Sequence, residues 1–344
     1  MKTFVVLLAI FTIISTTPIG NNKREAHLND DEKFDDVVDP DELIRETVDT
    51  ESYKKALNIE KEKVKLDSRF LDVDDDDDFK EPDVDKLVAS GKLLMPNHVV
   101  KEKGGRKNSA EYGKFYQGDM MLTKSQKKFV VAKDGISLPS RTGIIDDRFR
   151  WNKDNKGKVK IPYTFWSGSK YTNKDKEEIM YAMEYIETHT CIDFVPRSKE
   201  ADFLLIYSGE GCSSYIGKIG GQQLVSLKKN GCLRTGTIMH ELIHSIGYDH
   251  MQNHEDRDKH IQVVWDNIRD DTADNFVRVD SDLFSNFDTD YDYYSVMHYD
   301  SYAFSKNGKR TLVARDDDFR DIIGQRYALS YGDVRRINNM YDCN

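Results

Sequence analysis

Cysteine is scarce in this sequence, and long apolar runs are missing after its first residues. Only 4 cysteines occur among 344 residues, and no two of them have the C-x-x-C spacing that is typical of a thiolate metal site. No later apolar stretch approaches the ~20 residues that a transmembrane helix needs. These shortages argue against a cysteine-ligated metal and against a membrane partner.

Clusters of basic residues are missing as well. The net charge is -10 at pH 7, and lysine and arginine do not gather into the patch that nucleic-acid binding requires. The sequence has no Asn-x-Ser/Thr sequon and no internal repeat. We therefore expect no nucleic-acid partner and no N-glycosylation.

The first residues have the pattern of a secretory signal peptide. Lys2 precedes an apolar run over residues 4–14, and small polar residues follow it. The run is too short to span a membrane, so we expect a signal peptide at about residues 1–20 and a secreted, extracellular product. Secretion makes disulfides expected, but four cysteines allow three pairings, and spacing does not choose among them.

Residues 21–90 are polar and acidic, and they include five consecutive aspartates at 74–78. Such a segment buries too little apolar surface to fold alone. A calcium loop is the alternative, but the glycine and glutamate that it needs at fixed positions do not occur here. We expect a solvated, largely disordered segment.

Residues 240–250 have the pattern H-E-x-x-H-x-x-G-x-x-H. On a helix, His240 and His244 share a face and aim at one metal ion, and Glu241 can reach a water on that metal. Gly247 lets the chain leave the helix sharply, because glycine takes left-handed angles cheaply, and this turn brings back His250 as a third ligand. Three protein ligands leave one coordination position open, as in a catalytic zinc site.

The residues around this pattern predict a buried helix. Thr235 or Thr237 is the expected N-cap. Apolar residues recur at helical spacing at Ile238, Met239, Leu242, Ile243 and Ile246. A bare H-E-x-x-H is compatible with a solvated helix face, but the added glycine and third histidine disfavour that alternative.

A second motif lies at residues 295–299, which read S-V-M-H-Y. Alone, Met297 is an ordinary core methionine, but beside the histidine motif it is typical of the methionine turn of a metzincin. Together the two motifs resemble the astacin family of zinc endopeptidases. The resemblance implies one Zn²⁺ per catalytic domain and an α+β, two-lobed fold with the zinc helix at the cleft. It also implies that Tyr299 reaches the zinc and can swing away to stabilise the transition state.

The resemblance also implies the boundaries of the peptidase domain. It is carried by Trp151, residues 161–165 and residues 323–343, and it covers residues 142–344 and, more weakly, residues 111–123. Measured back from Trp151, the mature N-terminus falls near Thr142, so an activating protease is expected to cut after Arg141. We expect a propeptide at 21–141, a peptidase domain at 142–344 and no appended C-terminal module.

The same resemblance chooses one cysteine pairing. It implies a Cys191–Cys343 disulfide, which ties the end of the chain to the protease core. It also implies a Cys212–Cys232 disulfide, which closes the loop before the zinc helix.

One further motif lies within the propeptide, in the segment 111–123. Residues 116–119 read Y-Q-G-D, similar to the F-x-G-D pattern of astacin propeptides. In that family the aspartate occupies the zinc position that the catalytic water needs, and a carboxylate is a competent zinc ligand. Asp119 is therefore a predicted zinc ligand of the latent form only, and a plain turn is the alternative.

These residues predict hydrolysis of peptide bonds by a zinc-activated water. Zinc lowers the pKa of its water to ~7, and Glu241 would take the proton as general base and later pass it to the leaving amine. Zinc and Tyr299 would stabilise the oxyanion. By resemblance, a protein or peptide substrate pairs with an edge strand at residues 213–216.

Other segments predict a mixed sheet ahead of the zinc helix. Residues 174–189 have a helical apolar stripe with Asn173 as cap. Short strands are predicted at 192–195, 203–207 and 222–227. The part after the zinc helix is rich in aspartate, tyrosine and asparagine, which indicates a more irregular half.

Three positions depart from the family pattern. Met251 stands where the family has glutamate, Tyr248 replaces phenylalanine, and His254 replaces arginine. None of these changes removes a metal ligand or the base, so activity is still expected, although Met251 leaves the effect of exact N-terminal trimming open. His254, His260 and His298 are expected to be structural or surface residues.

Two other functions stay open at this point. One is a catalytically silent secreted relative that binds proteins through the cleft, which Met251 and His254 favour but the intact zinc motif disfavours. The other is a small zinc-stabilised structural module, which an open three-ligand site disfavours. Removal of the metal would unfold such a module, whereas a catalytic site need only lose activity.

Overall fold

The computed structural model describes residues 36–40, 43, 81–94, 115–126, 143–276, 278 and 284–343. The predicted signal peptide, the aspartates at 74–78 and the predicted cleavage point at Arg141 lie outside these residues. The α-helices are α1 Val84–Ala89, α2 Asn173–His189, α3 Thr235–Ser245, α4 Arg257–His260 and α5 Tyr331–Met340. Single 3-10 turns span Asp147–Phe149, Ser167–Ser169, Met251–Asn253, Trp265–Asn267, Ala273–Phe276 and Asp317–Phe319.

The strands form one large mixed sheet and several short pairs. They are β1 Leu93–Leu94, β2 Met120–Met121, β3 Gly143–Ile144, β4 Val159–Phe165, β5 Ile192–Pro196, β6 Phe203–Tyr207, β7 Cys212–Tyr215, β8 Gln222–Leu227, β9 Ile261–Val263, β10 Phe284–Ser285, β11 Leu312–Ala314 and β12 Leu329–Ser330. The large sheet has the order β2-β7-β8-β6-β4-β5. Strands β8, β6, β4 and β5 run parallel, and β7 is antiparallel to β8.

The strands predicted at 203–207 and 222–227 are β6 and β8, and the strand predicted at 192–195 extends by one residue in β5. Every residue of β6 is buried, as expected for a central parallel strand covered on both faces. Helices α2 and α3 pack against each other, α2 against β5, and α3 against β7 and β8. The predicted α+β plan is therefore confirmed.

The N-terminus of α2 differs from the prediction by one residue. Thr172 caps the helix: its hydroxyl accepts from the Asp175 amide at 3.2 Å, and the Asp175 carboxylate accepts from the Thr172 amide at 2.8 Å. This reciprocal pair satisfies two backbone donors at once. The prediction of Asn173 as the cap was wrong, because Asn173 is already the first helical residue.

Helix α3 has no side-chain cap, so the prediction of a threonine cap was wrong. Its N-cap is Arg234, and Thr235 is already helical. The helix is held by burial instead, since its five predicted apolar residues are at most 1% exposed. Burying each such side chain contributes roughly 1.5–3 kcal/mol. Gly247 then turns the chain away with φ 110°, a conformation that other residues adopt only with strain.

The half after α3 is irregular, as predicted. Strands β9 and β11 pair in it, and a buried aromatic and aliphatic cluster surrounds them. Disulfides join Cys191 to Cys343 and Cys212 to Cys232. Among the residues that the structure describes, no helix is long and apolar enough to cross a membrane.

Segments that precede residue 142 pack against this body at several places. Strand β1 pairs with β12, and β2 adds a parallel strand to β7 at the edge of the large sheet. Val84 and Leu93 are buried with Ala328. The part of the chain predicted to be a propeptide therefore includes segments with defined contacts.

Candidate active site

Three imidazoles and one carboxylate converge at the end of α3. The Nε2 atom of His240 lies 3.1 Å from that of His244 and 3.2 Å from that of His250. The carboxylate of Asp119 lies 3.2 Å from His240 Nε2, 3.3 Å from His250 Nε2 and 3.6 Å from His244 Nε2. All four side chains are at most 1% exposed. The structure thus brings together the four residues that the sequence singles out as metal ligands.

The outer nitrogen of each ring has an oxygen acceptor. His240 Nδ1 donates to the Val296 carbonyl at 2.9 Å, and His244 Nδ1 donates to the Tyr248 carbonyl at 2.6 Å. His250 Nδ1 donates to the Gln117 side-chain oxygen at 2.9 Å. With the proton on Nδ1, every ring directs its Nε2 lone pair at the same point.

Zinc is well suited to this set of donors. Lone pairs at these separations repel one another unless a cation lies between them. Tetrahedral zinc with bonds of about 2.0–2.1 Å places its donor atoms about 3.3 Å apart. Burial lowers the pKa of His244 well below its usual value, which keeps the ring in the neutral form that ligates. Asp119, His240, His244 and His250 can therefore hold one metal ion.

Asp119 is presented by a tight turn. Burial by itself would raise the pKa of Asp119, but electrostatic interaction with the surrounding histidines, led by His250, lowers that pKa well below its usual value. Gln117 and Gly118 both have left-handed backbones, with φ 47° and φ 91°. The carboxylate therefore enters the site as an anion on a turn that favours glycine at position 118.

Glu241 faces the same buried space. It is fully buried, and among the described residues neither of its carboxylate oxygens has a hydrogen-bond partner. Burial, together with the negative charge of Asp119, raises the pKa of Glu241 well above its usual value. A buried carboxyl with both oxygens unpaired is costly, so it indicates a group kept ready for another molecule.

The methionine turn lies against these ligands. Val296 supplies the carbonyl that orients His240, and the carbonyl of the buried Met297 accepts from the Met251 amide at 3.0 Å. Tyr299 is fully buried, and its ring lies 4.5 Å from that of His250. Its hydroxyl donates to the main-chain carbonyl of Gln117.

The predicted substrate edge at residues 213–216 is strand β7 and the residue after it. In this structure β2 occupies that edge, with Met120 opposite Ser214 and Met121 opposite Tyr215. The Ser214 amide donates to the Asp119 carbonyl at 3.0 Å. The segment that inserts the carboxylate therefore also pairs with the strand at which a substrate is expected.

The remaining histidines lie outside this donor set. His254 and His298 are buried, and burial lowers the pKa of each to about 4. His298 Nε2 accepts from the Tyr291 hydroxyl at 2.5 Å, and His260 stacks on the Tyr291 ring. Met251, which replaces the family's glutamate, is fully buried in the apolar cluster of the second half.

Two further residues, to which the sequence analysis assigned no role, organise the site. The Gln117 side chain accepts from both His250 and Asn253. Asp333 accepts from the Ser295 hydroxyl at 2.5 Å and from the Val296 amide at 2.9 Å, so it holds the methionine turn. Gln117 could have been noticed from its place inside the Y-Q-G-D motif, whereas no local pattern connects Asp333 to a turn 37 residues away.

Known proteins of one family match this chain. The model of the Astacin peptidase family matches residues 148–342. Zinc metalloproteinase nas-4 of Caenorhabditis elegans is 41% identical over 239 residues, which is 69% of this chain and 72% of that protein. Low choriolytic enzyme of Oryzias latipes is 35% identical over 238 residues, 69% of this chain and 82% of that protein. The solved structure of high choriolytic enzyme 1, a hatching enzyme zinc-protease from Oryzias latipes, superimposes with a TM-score of 0.55 at 36% identity and covers 59% of this chain and 100% of that chain.

Proposed function

The chain belongs to the astacin family of zinc metalloendopeptidases, and on that premise we propose that it is a secreted zymogen that Asp119 keeps latent. The observation that carries this proposal is the Asp119 carboxylate, which lies 3.2–3.6 Å from the Nε2 atoms of all three histidines. As a fourth ligand it fills the position that a catalytic zinc must keep open.

Similarity to the relatives supports the same assignment. Any continuous stretch that covers 69% of this chain includes residues 115–126, so the similarity to nas-4 includes the Asp119 segment. The two disulfides are consistent with an oxidising compartment, as is the predicted signal peptide. We place the propeptide at 21–141 and the mature enzyme at 142–344, with activation by a protease that cuts near Arg141.

In the active enzyme His240, His244 and His250 hold the zinc. A zinc ion held there would lower the pKa of a bound water molecule to near 7 and would polarise the scissile carbonyl of a peptide or protein substrate. Glu241 accepts the proton of the attacking water and later donates it to the leaving amine. The Tyr299 hydroxyl, released from Gln117 when the propeptide leaves, donates a hydrogen bond to the oxyanion.

Processing of the full chain tests this function. A trypsin-like protease is used to cut near Arg141, N-terminal sequencing identifies the product, and a quenched peptide library reports cleavage. We expect zinc-dependent cleavage by the processed chain, none by its Glu241→Ala variant, and little by the precursor. If the folded, zinc-loaded processed chain cleaves nothing, the protein is a silent relative that binds its partners through the cleft.

A further inference from the structure

A further contact between the N-terminal segment and the peptidase domain lies at the end of β5. Arg197 follows β5 and meets Asp36 in a two-pronged ion pair, with Nη1–Oδ1 at 3.1 Å and Nη2–Oδ2 at 2.5 Å. The Arg197 side chain is 2% exposed, and its guanidinium lies 3.6 Å from the centroid of the Phe203 ring. Stacking and burial hold the guanidinium in one orientation, which favours planar recognition of a carboxylate.

The backbone of the same segment is recognised two residues further on. The Gln222 side chain accepts from the Val38 amide at 2.9 Å and donates to the Val38 carbonyl at 2.7 Å. One amide group thus satisfies both polar groups of a residue, as a neighbouring strand would. Because residue 38 takes part in these bonds only through its main chain, they do not require valine at this position.

An apolar surface lies beside these polar contacts. Val37 and Leu43 pack against a buried cluster that includes Phe203, Leu205, Tyr207 and Leu224 on β6 and β8. Phe203 and Gln222 are opposite each other in the β6–β8 register, so the polar and apolar contacts share one region of the sheet. Removal of residues 36–43 would leave this apolar surface beside a fixed arginine, a combination typical of a binding surface.

We propose that Arg197, Phe203 and Gln222 form a peptide-docking surface that, in the processed enzyme, binds an aspartate-containing apolar segment of a protein substrate. Residues 36–40 and Leu43 are its resident occupant in the precursor and define the chemistry it accepts: a carboxylate, an apolar side chain next to it, and a free main-chain amide at the following residue. This inference rests on the proposed removal of the propeptide. Docking at this surface would raise the local concentration of a substrate without changing the chemistry at the zinc.

Binding of a labelled peptide tests the surface in the full chain. A fluorescent peptide of residues 36–43 is titrated, by anisotropy, into the intact chain, into an Asp36→Lys/Val38→Pro chain whose own segment cannot dock, and into the processed chain. We expect no binding to the intact chain and saturable binding to the other two, unaffected by a zinc-chelating inhibitor. Arg197→Ala or Gln222→Ala should weaken binding about tenfold or more. Arg148→Ala, which removes an exposed arginine paired with Asp146, should leave it unchanged.

Two results would overturn the proposal. One is that the peptide binds neither the double variant nor the processed chain. The other is that the Arg197→Ala and Gln222→Ala variants bind the peptide as tightly as the chain without these substitutions. Activity measurements separate this proposal from the proposed function. Arg197→Ala should cleave a short neutral peptide at a rate within about twofold of that of the parent enzyme. The same variant should cleave a protein fused to residues 36–43 more slowly than the parent does. A processed chain that cleaves short peptides but binds no labelled peptide removes the docking surface alone. If the Asp36→Lys/Val38→Pro chain binds the peptide but the processed chain cleaves nothing, the docking surface stands and only the proposed function is contradicted.

Discussion

The hydroxyl of Tyr299 donates a hydrogen bond to the main-chain carbonyl of Gln117, two residues before the Asp119 carboxylate. One short turn therefore engages three parts of the site. Its main-chain carbonyl accepts the Tyr299 hydroxyl, its glutamine side chain accepts from the outer nitrogen of His250, and its carboxylate lies where a fourth ligand of the metal would be. In the activation that we propose, withdrawal of this turn would release all three together.

Tyr299→Phe in the processed enzyme tests the role of the phenol. Loss of an oxyanion donor costs about 10²–10³ in kcat, so we expect a fall of that size with little change in KM. Zinc content should stay the same, because Tyr299 is not one of the four converging ligands. The matched control is Tyr171→Phe, which also loses a hydroxyl bond to a main-chain carbonyl, that of Leu227. Equal kcat values for the two variants would remove Tyr299 from the mechanism.

Gly118→Ala tests the backbone of the inhibitory turn. Gly118 has φ 91°, and a left-handed backbone costs a residue with a Cβ roughly 1–2 kcal/mol. We expect the unprocessed Gly118→Ala chain to be about 5–30-fold more active than the unprocessed parent, with each activity given as a fraction of that of the fully processed enzyme. Gly211→Ala is the control, since Gly211 has a similar φ of 86° in a loop far along the chain and nothing lies within 4 Å of its added Cβ. If the unprocessed Gly118→Ala and Gly211→Ala chains were equally active, general backbone strain, and not this turn, would control latency.

Asp292→Asn tests a half-buried carboxyl three residues before the methionine turn. Burial, assisted by the negative charge of Asp333, raises the pKa of Asp292 from 3.8 to about 6. The folded state therefore binds this proton more tightly than the unfolded state, so stability falls as the pH rises from about 4 to about 6. Asparagine stays neutral, and we expect it to recover up to roughly 3 kcal/mol across that range, because one pKa unit corresponds to about 1.4 kcal/mol.

Urea unfolding of both proteins at pH 4 and pH 7 measures this effect. The variant should gain stability relative to the parent at pH 7 but not at pH 4. Asp290→Asn, at an exposed position two residues away, should show no such difference between the two pH values. A constant difference between Asp292→Asn and the parent at both pH values would contradict the assignment.

Much of the site was predictable because its chemistry is written locally. His240, Glu241, His244 and His250 fall within eleven consecutive residues, so the helix and one glycine turn fix their geometry. The strands that became β6 and β8 were predictable for a similar reason, since short apolar runs bounded by turns indicate buried strands. The irregular second half and the α+β plan also followed from composition and order.

Other features depend on contacts that no local pattern records. The caps of α2 and α3 were placed wrongly because neighbouring threonine and asparagine residues compete as caps, and because burial holds α3 without one. The roles of Asp333 and Arg197 come from chain segments 37 and 161 residues away, respectively. The pairing of β2 with β7 is another such contact, since it joins a two-residue strand to an edge more than 90 residues later.

The most direct test of latency is peptide cleavage by an unprocessed chain that lacks the Asp119 carboxylate. Arg141→Gln blocks the predicted cut, and all variants carry it. The test variant adds Asp119→Ala, and the inactive control adds both Asp119→Ala and Glu241→Ala. We predict that Arg141→Gln is silent and that adding Asp119→Ala raises cleavage at least tenfold, with the zinc content of the protein unchanged. Activity should be lost again with Glu241→Ala. A zinc-loaded, folded Asp119→Ala chain that stays as silent as Arg141→Gln would contradict the account.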